Sequence, residues 1–235
     1  MIPRELIGVA EVPGGPPLRL VRHGGDFMIM LDRNELMSSR MSGSEAALGA
    51  MTCQRLKSPD EARLLIGGYG MGFTLRAVLA QLGPGARITV AELVPGIMDW
   101  ARGPMQAMAQ GCLDDPRVEI RIDDVARLID TVSGGYDAIL LDVDNGPDGL
   151  TRQANHGLYT ARGLQSARAA LRPGGILAVW SAGADAAFTR RLQQSGFTVE
   201  ELRVRARDNG KGPKHTLWFA TAPEAADRAI ARRRG

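Results

Sequence analysis

The chain has 235 residues, 44% of them hydrophobic, and a formal net charge of +3 at pH 7. This length and composition allow one substantial hydrophobic core and argue against a disordered, fibrous or membrane-spanning protein. No apolar run approaches the roughly 18 residues that cross a bilayer, and the N-terminus does not resemble a signal peptide, so we expect a cytoplasmic location. Cys53 and Cys112 form no CxxC pair, and we interpret both as small buried residues.

Charge and histidine spacing limit the partners that the sequence predicts. Only three of the 29 basic residues are lysines, and the one dense cluster, Arg232 to Arg234, lies at the C-terminal end, where a solvated tail is typical. No basic stripe is interleaved with aromatic residues, so we expect neither a nucleic-acid nor a membrane partner. The three histidines are isolated from other potential ligands, and the sequence therefore predicts no metal.

The first part of the chain has the pattern of a small β appendage. Three short strand patterns, LIGVAEV, LRLVRHG and DFMIMLD, are separated by breaks rich in Gly and Pro. Ser42 and Glu45 have the spacing of a capping box and predict the start of a helix that runs to Leu56. We expect residues 1–57 to form this appendage, residues 58–222 the main domain and residues 223–235 a basic tail.

A strand, a turn rich in glycine and a helix follow in that order. Residues 62–66 form a short apolar run, and residues 73–82 carry leucine and valine at helical spacing. Such a turn lets a nucleotide-like ligand approach the backbone, although a tight structural turn has the same pattern. The spacing is G-x-G-x-G, because Phe73 occupies the place of the last glycine of the dinucleotide fingerprint. The glycines in the turn are Gly67, Gly68, Gly70 and Gly72.

Strands and helices then alternate along the chain. This alternation, with strands that are apolar throughout, predicts an α/β fold with a mostly parallel sheet covered on both faces. Two final strands joined by a polar turn should add an antiparallel pair. The strands are expected at residues 87–92, 118–122, 136–142, 176–180, 198–206 and 216–220, and the helices at 94–108, 125–132, 161–171 and 186–195.

Acidic residues stand at the ends of successive predicted strands, where ligands of open α/β sheets bind. Glu92 follows Gly68 by 24 residues, close to the separation at which an acidic group reaches ribose hydroxyls. We favour this role over a surface carboxylate. Asp124, or its neighbour Asp123, is a candidate acceptor for an adenine amino group, and a helix N-cap is the alternative role.

The fourth strand of the main domain is followed by two further acids. Asp142 and Asp144 are two residues apart, so their side chains point to the same side of an extended chain. Close carboxylates suggest a bound cation, a general base or one raised pKa, and Asp144 is also interpretable as a solvated loop acid. The loop from Asn145 to His156 contains Gly and Pro and is predicted to act as a lid.

Six segments of the main domain form an ordered set: LLIGGYGMGFTLRAVL, ITVAELVP, RVEIRIDDVARLI, YDAILLDVDNGP, LYTARGL and ALRPGGILAVW. As a set they resemble the spermidine synthase family within the class I S-adenosylmethionine-dependent methyltransferase superfamily. The resemblance covers about residues 26–222 and implies a Rossmann-like class I methyltransferase fold. It implies a sulfonium donor, S-adenosylmethionine or its decarboxylated form, with the ribose on Glu92 and the adenine near Asp124. It also implies that Asp142 orients and deprotonates an attacking amine.

The sequence departs from the family pattern at two places. The family's loop reads G-G-G-D-G-G, and its aspartate holds the amino end of the decarboxylated donor; Tyr69 and Gly70 replace the third glycine and that aspartate. The family's D-x-x-D pair becomes Asp142 and Asn145, with Asp144 displaced by one position. Because the anchor for an aminopropyl donor is missing, we predict methyl transfer to a small amine or similar nucleophile. The alternatives are aminopropyl transfer to a diamine and a non-catalytic nucleoside-binding protein.

Methyl transfer and aminopropyl transfer proceed by the same kind of reaction step. An uncharged nucleophile attacks a carbon bonded to positively charged sulfur, so positioning supplies most of the acceleration. An amine has a pKa of about 10, so a carboxylate must take its proton or select its neutral form. We expect Asp142 to do this, with Asp144 as a second carboxylate and Tyr159 as an orienting hydroxyl; Tyr159 is equally a candidate for the core. The sequence leaves a homodimer open.

Overall fold

The computed structural model describes residues 3–143 and 156–224. Within these ranges the chain forms a four-stranded antiparallel sheet and a seven-stranded sheet with helices packed on it. Asp144, Asn145, most of the predicted lid and the predicted basic tail from residue 225 onward lie outside the described residues. None of the described helices is long and apolar enough to cross a membrane.

The N-terminal sheet consists of β1 (Arg4–Ala10), β2 (Leu18–His23), β3 (Asp26–Leu31) and β4 (Asn34–Ser38), paired in sequence order. Each strand runs antiparallel to the next. The sequence predicted three of these strands and missed β4. The turn before β4 contains no glycine, and Asp32 adopts the positive φ of 52° instead. One face of the sheet buries Leu18, Leu20 and Ile29 against the main domain.

The main sheet contains seven strands: β5 (Arg63–Gly67), β6 (Arg87–Glu92), β7 (Val118–Ile122), β8 (Tyr136–Leu141), β9 (Leu171–Ser181), β10 (Thr198–Arg205) and β11 (Lys214–Thr221). Their order is β10-β11-β9-β8-β5-β6-β7. Strands β5 to β9 are parallel, whereas β11 is antiparallel to both β9 and β10. The predicted α/β, Rossmann-like fold with a terminal antiparallel pair is therefore confirmed. The strand order reverses between β5 and β8.

Helices cover both faces of the main sheet. Two hydrophobic clusters lie on opposite faces, and the central strands contribute alternate residues to them, such as Ile66 to one and Leu65 to the other. The predicted helix 94–108 is divided in two, because Gly103 and Pro104 interrupt it. The helices are α1 (Gly43–Cys53), α2 (Phe73–Leu79), α3 (Pro95–Arg102) and α4 (Gln106–Ala109) on one face, and α5 (Val125–Asp130), α6 (His156–Tyr159), α7 (Ala161–Ala170) and α8 (Ala186–Gln194) on the other.

The N-terminus of α1 differs from the predicted capping box. Ser42 occupies the N-cap position, but its side chain makes no capping bond and instead donates to Asp208 Oδ2 at 3.3 Å. Glu45 turns towards the interior, where it is only 5% exposed. The predicted reciprocal cap is therefore wrong, because Ser42 bonds to Asp208 and the side chain of Glu45 is buried. The domain boundaries at residues 57 and 222 stay predictions.

Helices α1 and α2 approach each other closely at Gly49. A Cβ atom at this position would lie 2.7 Å from the carbonyl oxygen of Thr74 and 3.0 Å from the Cβ of Ala77. The missing side chain lets the backbones meet and brings the Thr74 hydroxyl to 3.2 Å from the carbonyl oxygen of Glu45. Gly49 thus sets the distance between the two helices.

We expect Gly49→Ala to lower the free energy of unfolding by about 1–3 kcal/mol, because the added methyl group overpacks the contact with Thr74. This outcome opposes intrinsic helix propensity, which favours Ala over Gly by about 1 kcal/mol. Gly157, in α6, is a matched control, since no described atom would lie within 4 Å of its Cβ. Gly157→Ala should leave stability unchanged or raise it. Urea unfolding measures both variants, and equal stability of Gly49→Ala and wild type would contradict the close approach.

Candidate active site

A cavity of about 310 Å³ lies between the N-terminal sheet and the carboxyl ends of the central strands. Its position matches the site expected at the strand-order reversal of an open α/β sheet. Its volume lies at the lower end of the range for small-molecule sites, about 300–1,000 Å³. The strand ends contribute Gly68, Glu92, Asp123 and Asp142 to its wall, and the N-terminal sheet contributes Leu18, Ile29, Leu31 and Met37.

The glycine turn begins with a backbone contact that excludes any side chain. Gly68 has a φ of +86°, and a Cβ atom there would lie 2.5 Å from the carbonyl oxygen of Asp142. The N–H group of Gly68 donates to the carbonyl oxygen of Ala91 at 2.8 Å. Strands β5, β6 and β8 are therefore joined at the edge of the cavity. Gly67 lies beneath the cavity against Val125, and a Cβ there would lie 2.9 Å from a Val125 methyl carbon.

Gly70 and Gly72 have different roles in the turn. Gly72 has a φ of +78° and stands at the N-cap position of α2, where its N–H group donates to the carbonyl oxygen of Tyr69 at 2.8 Å. Gly70, with a φ of +55°, lines the cavity. A Cβ at Gly70 would lie 2.5 Å from Cε and 2.8 Å from Sδ of Met37. The thioether of Met37, a residue of β4, therefore fills the space beside the position of the family's aspartate.

Tyr69, the other departure in this loop, belongs to the hydrophobic core. Its side chain is 5% exposed, and its hydroxyl lies 3.7 Å from Sγ of Cys112. Burial raises the pKa of the Tyr69 phenol. Both cysteines are buried and free, as their sequence contexts indicated. Tyr69 consequently offers its backbone, rather than its hydroxyl, to the site.

Glu92 is the last residue of β6, and its side chain binds the backbone of the glycine turn. Its side chain is 5% exposed, and its two carboxylate oxygens accept from the N–H groups of Tyr69 and Val94, each at 2.9 Å. Burial raises the pKa of Glu92, and these N–H groups oppose that rise. Each carboxylate oxygen has a further lone pair. Because Glu92 also lines the cavity, it can accept from two hydroxyl groups of a ligand.

Asp123 and Asp124 both line the cavity beyond the end of β7. Asp124 caps α5, since its Oδ1 accepts from the N–H group of Ala126 at 2.8 Å. Oδ1 of Asp123 accepts from the N–H group of Asp124 at 2.8 Å and lies 3.4 Å from Nη1 of Arg127. The N-cap role of Asp124 is confirmed. Its contact with an adenine amino group stays a prediction.

Asp142 lies at the boundary between the cavity and the sheet. Its N–H group donates to the carbonyl oxygen of Gly67 at 3.0 Å, and its Oδ2 accepts from the Thr74 hydroxyl at 2.6 Å. Burial raises the pKa of Asp142, whereas the hydrogen bond from Thr74 lowers it. A carboxyl group that faces the cavity and has a raised pKa is suited to proton transfer.

Glu45 is the principal site residue that the sequence reasoning missed. It lines the cavity, and its pKa is raised by burial first and by the charge of Asp142 second. Helical spacing is the sequence feature that could have identified Glu45 as a site residue, because it lies on the same buried face of α1 as Leu48 and Thr52. An acidic residue on an apolar face is costly, and that cost indicates function more often than capping.

A polar cluster surrounds Glu45 on the far wall of the cavity. The Ser44 hydroxyl lies 2.8 Å from Oε2 of Glu45 and 2.8 Å from Nδ1 of His215, and it accepts from Nε1 of Trp180 at 3.0 Å. The rings of Trp180 and His215 pack edge to face with centroids 4.8 Å apart. Burial lowers the pKa of His215. In sequence this histidine was isolated, and only the fold brings it to the site.

Tyr159 lies on the opposite face of the sheet. Its ring is 3% exposed and packs edge to face on Phe188, with centroids 5.6 Å apart. Its hydroxyl donates to the carbonyl oxygen of Val143 at 3.5 Å, beside Asp142. The alternative role of Tyr159 in the core is therefore confirmed. Any orienting effect would act through the backbone next to Asp142.

The charge of the cavity wall is strongly one-sided. Among the described lining residues none is Lys or Arg, and His215 is the only potentially basic side chain. Such a wall produces a negative potential, which attracts cationic ligands. In residues 3–143 and 156–224 there is no group of three or more His, Cys, Asp or Glu that could hold a metal ion. The acidic lining residues are Glu35, Glu45, Glu92, Asp123, Asp124 and Asp142.

Comparison with known proteins places these features in a family. A model of the spermine/spermidine synthase domain matches residues 46–191. Polyamine aminopropyltransferase 2 of Pseudomonas aeruginosa is 36% identical over 126 residues, which are 51% of this chain and 34% of that protein. Polyamine aminopropyltransferase of Korarchaeum cryptofilum is 30% identical over 132 residues, which are 56% of this chain and 38% of that protein. The matched segments thus span roughly a third of these curated relatives.

Solved structures show the same fold. Spermidine synthase from Thermotoga maritima superimposes with a TM-score of 0.72 at 19% identity, covering 92% of this chain and 72% of that one. A spermidine synthase in complex with the transition-state analogue AdoDATO gives a TM-score of 0.71, also at 19% identity and with the same coverage. The TM-scores and the 92% coverage of this chain show that the Rossmann-like fold is shared.

The prediction of methyl transfer is wrong. The matching domain model is named for spermine and spermidine synthases, and the curated relatives are named for aminopropyl transfer. That prediction depended on Gly70 alone, whereas the family match includes the glycine turn, the acidic strand ends and α7. Because the match covers more than half of the chain, the protein belongs to the spermine/spermidine synthase domain family.

Proposed function

We propose that the protein transfers an aminopropyl group from decarboxylated S-adenosylmethionine to a small amine. The observation that carries this proposal is the cavity wall, which has six acidic residues and, among the described residues, no Lys or Arg. The decarboxylated donor has a sulfonium and an ammonium group and no carboxylate. S-adenosylmethionine has a carboxylate, which this wall offers no Lys or Arg to bind. Charge complementarity therefore favours the decarboxylated donor, in agreement with the family.

The donor's nucleoside fits the half of the cavity formed by β5, β6 and β7. Glu92 would accept from the ribose hydroxyls, and Asp123 or Asp124 would accept from the adenine amino group. Apolar residues that can contact the adenine ring, Leu93, Ile97 and Val125, line this part of the wall. Gly68 and Gly70 let the donor approach the backbone, because neither has a side chain to block it.

Asp142 is placed to act on the acceptor amine. An amine is mostly protonated at neutral pH, and its nitrogen becomes a nucleophile only when a proton leaves. The Asp142 carboxylate attracts the ammonium group and can take that proton. The nitrogen then attacks the aminopropyl carbon bonded to sulfur, a C–N bond forms, and the C–S bond breaks. Sulfur keeps the electron pair, so a neutral thioether nucleoside and a longer ammonium product result.

The transfer is tested by incubating the protein with the decarboxylated donor and a panel of monoamines and diamines. We expect product masses that are larger than the acceptor by one aminopropyl group. Asp142→Asn should reduce kcat/KM by about 10²- to 10⁴-fold, the usual contribution of general acid–base catalysis, and should retain donor binding. Asp130→Asn makes the same chemical change at an exposed position on α5 and should leave kcat/KM unchanged. Donor binding without any transfer would support the nucleoside-binding alternative.

The position of Gly70 offers a second test. Asp tolerates the left-handed φ of +55° found here, but its side chain needs the space now filled by Met37. In the double variant Gly70→Asp/Met37→Ala, a carboxylate could reach the donor's ammonium group, and we expect donor affinity to rise about 10-fold, within the usual energy of a charge-assisted hydrogen bond. Calorimetry with the decarboxylated donor measures this affinity. Met37→Ala alone is the control, and an equal gain in that variant would contradict the interpretation.

A further inference from the structure

Glu45 lies beside Asp142 in the cavity and has no part in the mechanism described so far. We propose that Glu45 is a second catalytic carboxylate, which binds the acceptor's ammonium group together with Asp142 and, in place of Asp142, takes the proton that the amine loses. The inference rests on the proposed function, because it assumes an amine acceptor. The pair differs from the one predicted from sequence, in which Asp144 was the second carboxylate.

The Thr74 hydroxyl connects the carboxyl group of Asp142 to the backbone of Glu45. It is 2.6 Å from Oδ2 of Asp142 and 3.2 Å from the backbone carbonyl oxygen of Glu45. A threonine hydroxyl has one proton and two lone pairs. When Asp142 is ionised, Thr74 donates to it; when Asp142 is protonated, it can donate to Thr74, which then donates to the carbonyl group. Both protonation states of Asp142 therefore keep their hydrogen bonds.

The Ser44 hydroxyl can likewise form a hydrogen bond with Glu45 in both protonation states of that acid. Nε1 of Trp180 can only donate, so it occupies one lone pair of Ser44. When Glu45 is ionised, Ser44 donates to Oε2 and accepts from Nδ1–H of His215, since both atoms lie 2.8 Å away. When Glu45 is protonated, it donates to Ser44, and Ser44 donates to an unprotonated Nδ1. The Glu45–Ser44–His215 chain can thus carry a proton in either direction without leaving a buried group unpaired.

The surroundings favour one proton on the acid pair before an amine arrives. Asp142 and Asp208 both contribute negative charge near Glu45, and His215 is a potential cation that reaches it through Ser44. Within residues 3–143 and 156–224 no Lys or Arg forms an ion pair with Glu45 or Asp142. Two buried carboxylates without a counterion cannot both ionise at low cost. Burial raises the pKa of both groups, and the charge of Asp142 raises the pKa of Glu45 further.

An acceptor ammonium supplies the missing positive charge. Its binding displaces the shared proton to solvent, and Glu45, now ionised, takes a proton from the ammonium nitrogen. After these steps one neutral amine is bound, one proton is on the acid pair and one proton has been released to solvent. The neutral nitrogen then attacks the donor carbon, and the positive charge of sulfur passes to the new ammonium product. No oxidant or further reactant is needed.

The acid pair also makes folding depend on pH. The pKa of each acid is higher in the folded protein than in the unfolded chain. The contribution of these two groups to folding stability is therefore fully present at pH values below the unfolded pKa values, and it is lost as pH rises through the raised pKa values. We expect the melting temperature of the ligand-free protein to fall between about pH 5 and pH 9. Glu45→Gln should flatten this dependence and fold at least as stably at the upper end. Scanning calorimetry across this range measures both and shows that the variant folds.

The proposal is tested by proton release on amine binding. Calorimetry with butylamine and 1,4-diaminobutane at pH 7.5, in phosphate and in Tris, gives the number of protons released from the difference in observed heat. We expect release approaching one proton per amine for wild type and close to none for Glu45→Gln. Glu61→Gln makes the same chemical change at an exposed position outside the cavity and should keep the release.

Turnover gives the second readout. The ratio of wild-type to Glu45→Gln kcat/KM should be about 10²- to 10⁴-fold at neutral pH and should shrink towards pH 10, where free amine is available. A ratio constant across pH, proton release retained in Glu45→Gln, or no amine binding would each overturn the role of Glu45. Proton release without aminopropyl transfer would support the carboxylate pair and contradict the proposed function, so the two failures are distinguishable.

Discussion

The site depends on the backbone contact between Gly68 and Asp142. Parallel pairing of β5 with β8 brings the two residues together, and the N–H group of Asp142 donates to the carbonyl oxygen of Gly67 at 3.0 Å. Any side chain at residue 68 would separate the strands, because its Cβ would lie 2.5 Å from the Asp142 carbonyl oxygen. The glycine turn, where we propose that the donor binds, and Asp142, which we propose acts on the acceptor, are therefore fixed to each other by main chain. Catalysis by positioning requires this rigidity.

Local patterns predicted the parts of the fold that local forces determine. The bounds of β6 and β7 were predicted to the residue, because polar or turn residues flank their apolar runs. Glu92 was found by a topological rule, since the carboxyl ends of parallel strands meet at one edge of the sheet. Its exposure of 5% and its place in the cavity wall agree with that expectation. Asp124 as a helix cap was predicted for a similarly local reason.

The remainder of the site depends on contacts between distant residues. Ser44 and His215 are 171 positions apart and meet only because α1 packs on β11. Glu45 has the sequence spacing of a cap, and the role we propose for it follows from its burial near Asp142 rather than from its neighbours in sequence. The prediction of methyl transfer, which depended on Gly70, was wrong for a related reason. A sequence shows that a side chain is missing, but not that Met37 from another sheet fills its place.

The N-terminal sheet, predicted as an appendage, also forms part of the cavity. All four of its strands lie outside the segment that matches the family model, yet its apolar side chains form one wall of the cavity. Without that wall the acidic strand ends would face solvent, and water would screen their charges. With it, the carboxylates remain in a medium of low polarity, where an added proton or cation changes their energy most. Covering the acids costs folding stability, and it strengthens the attraction that we propose they exert on a cationic ligand.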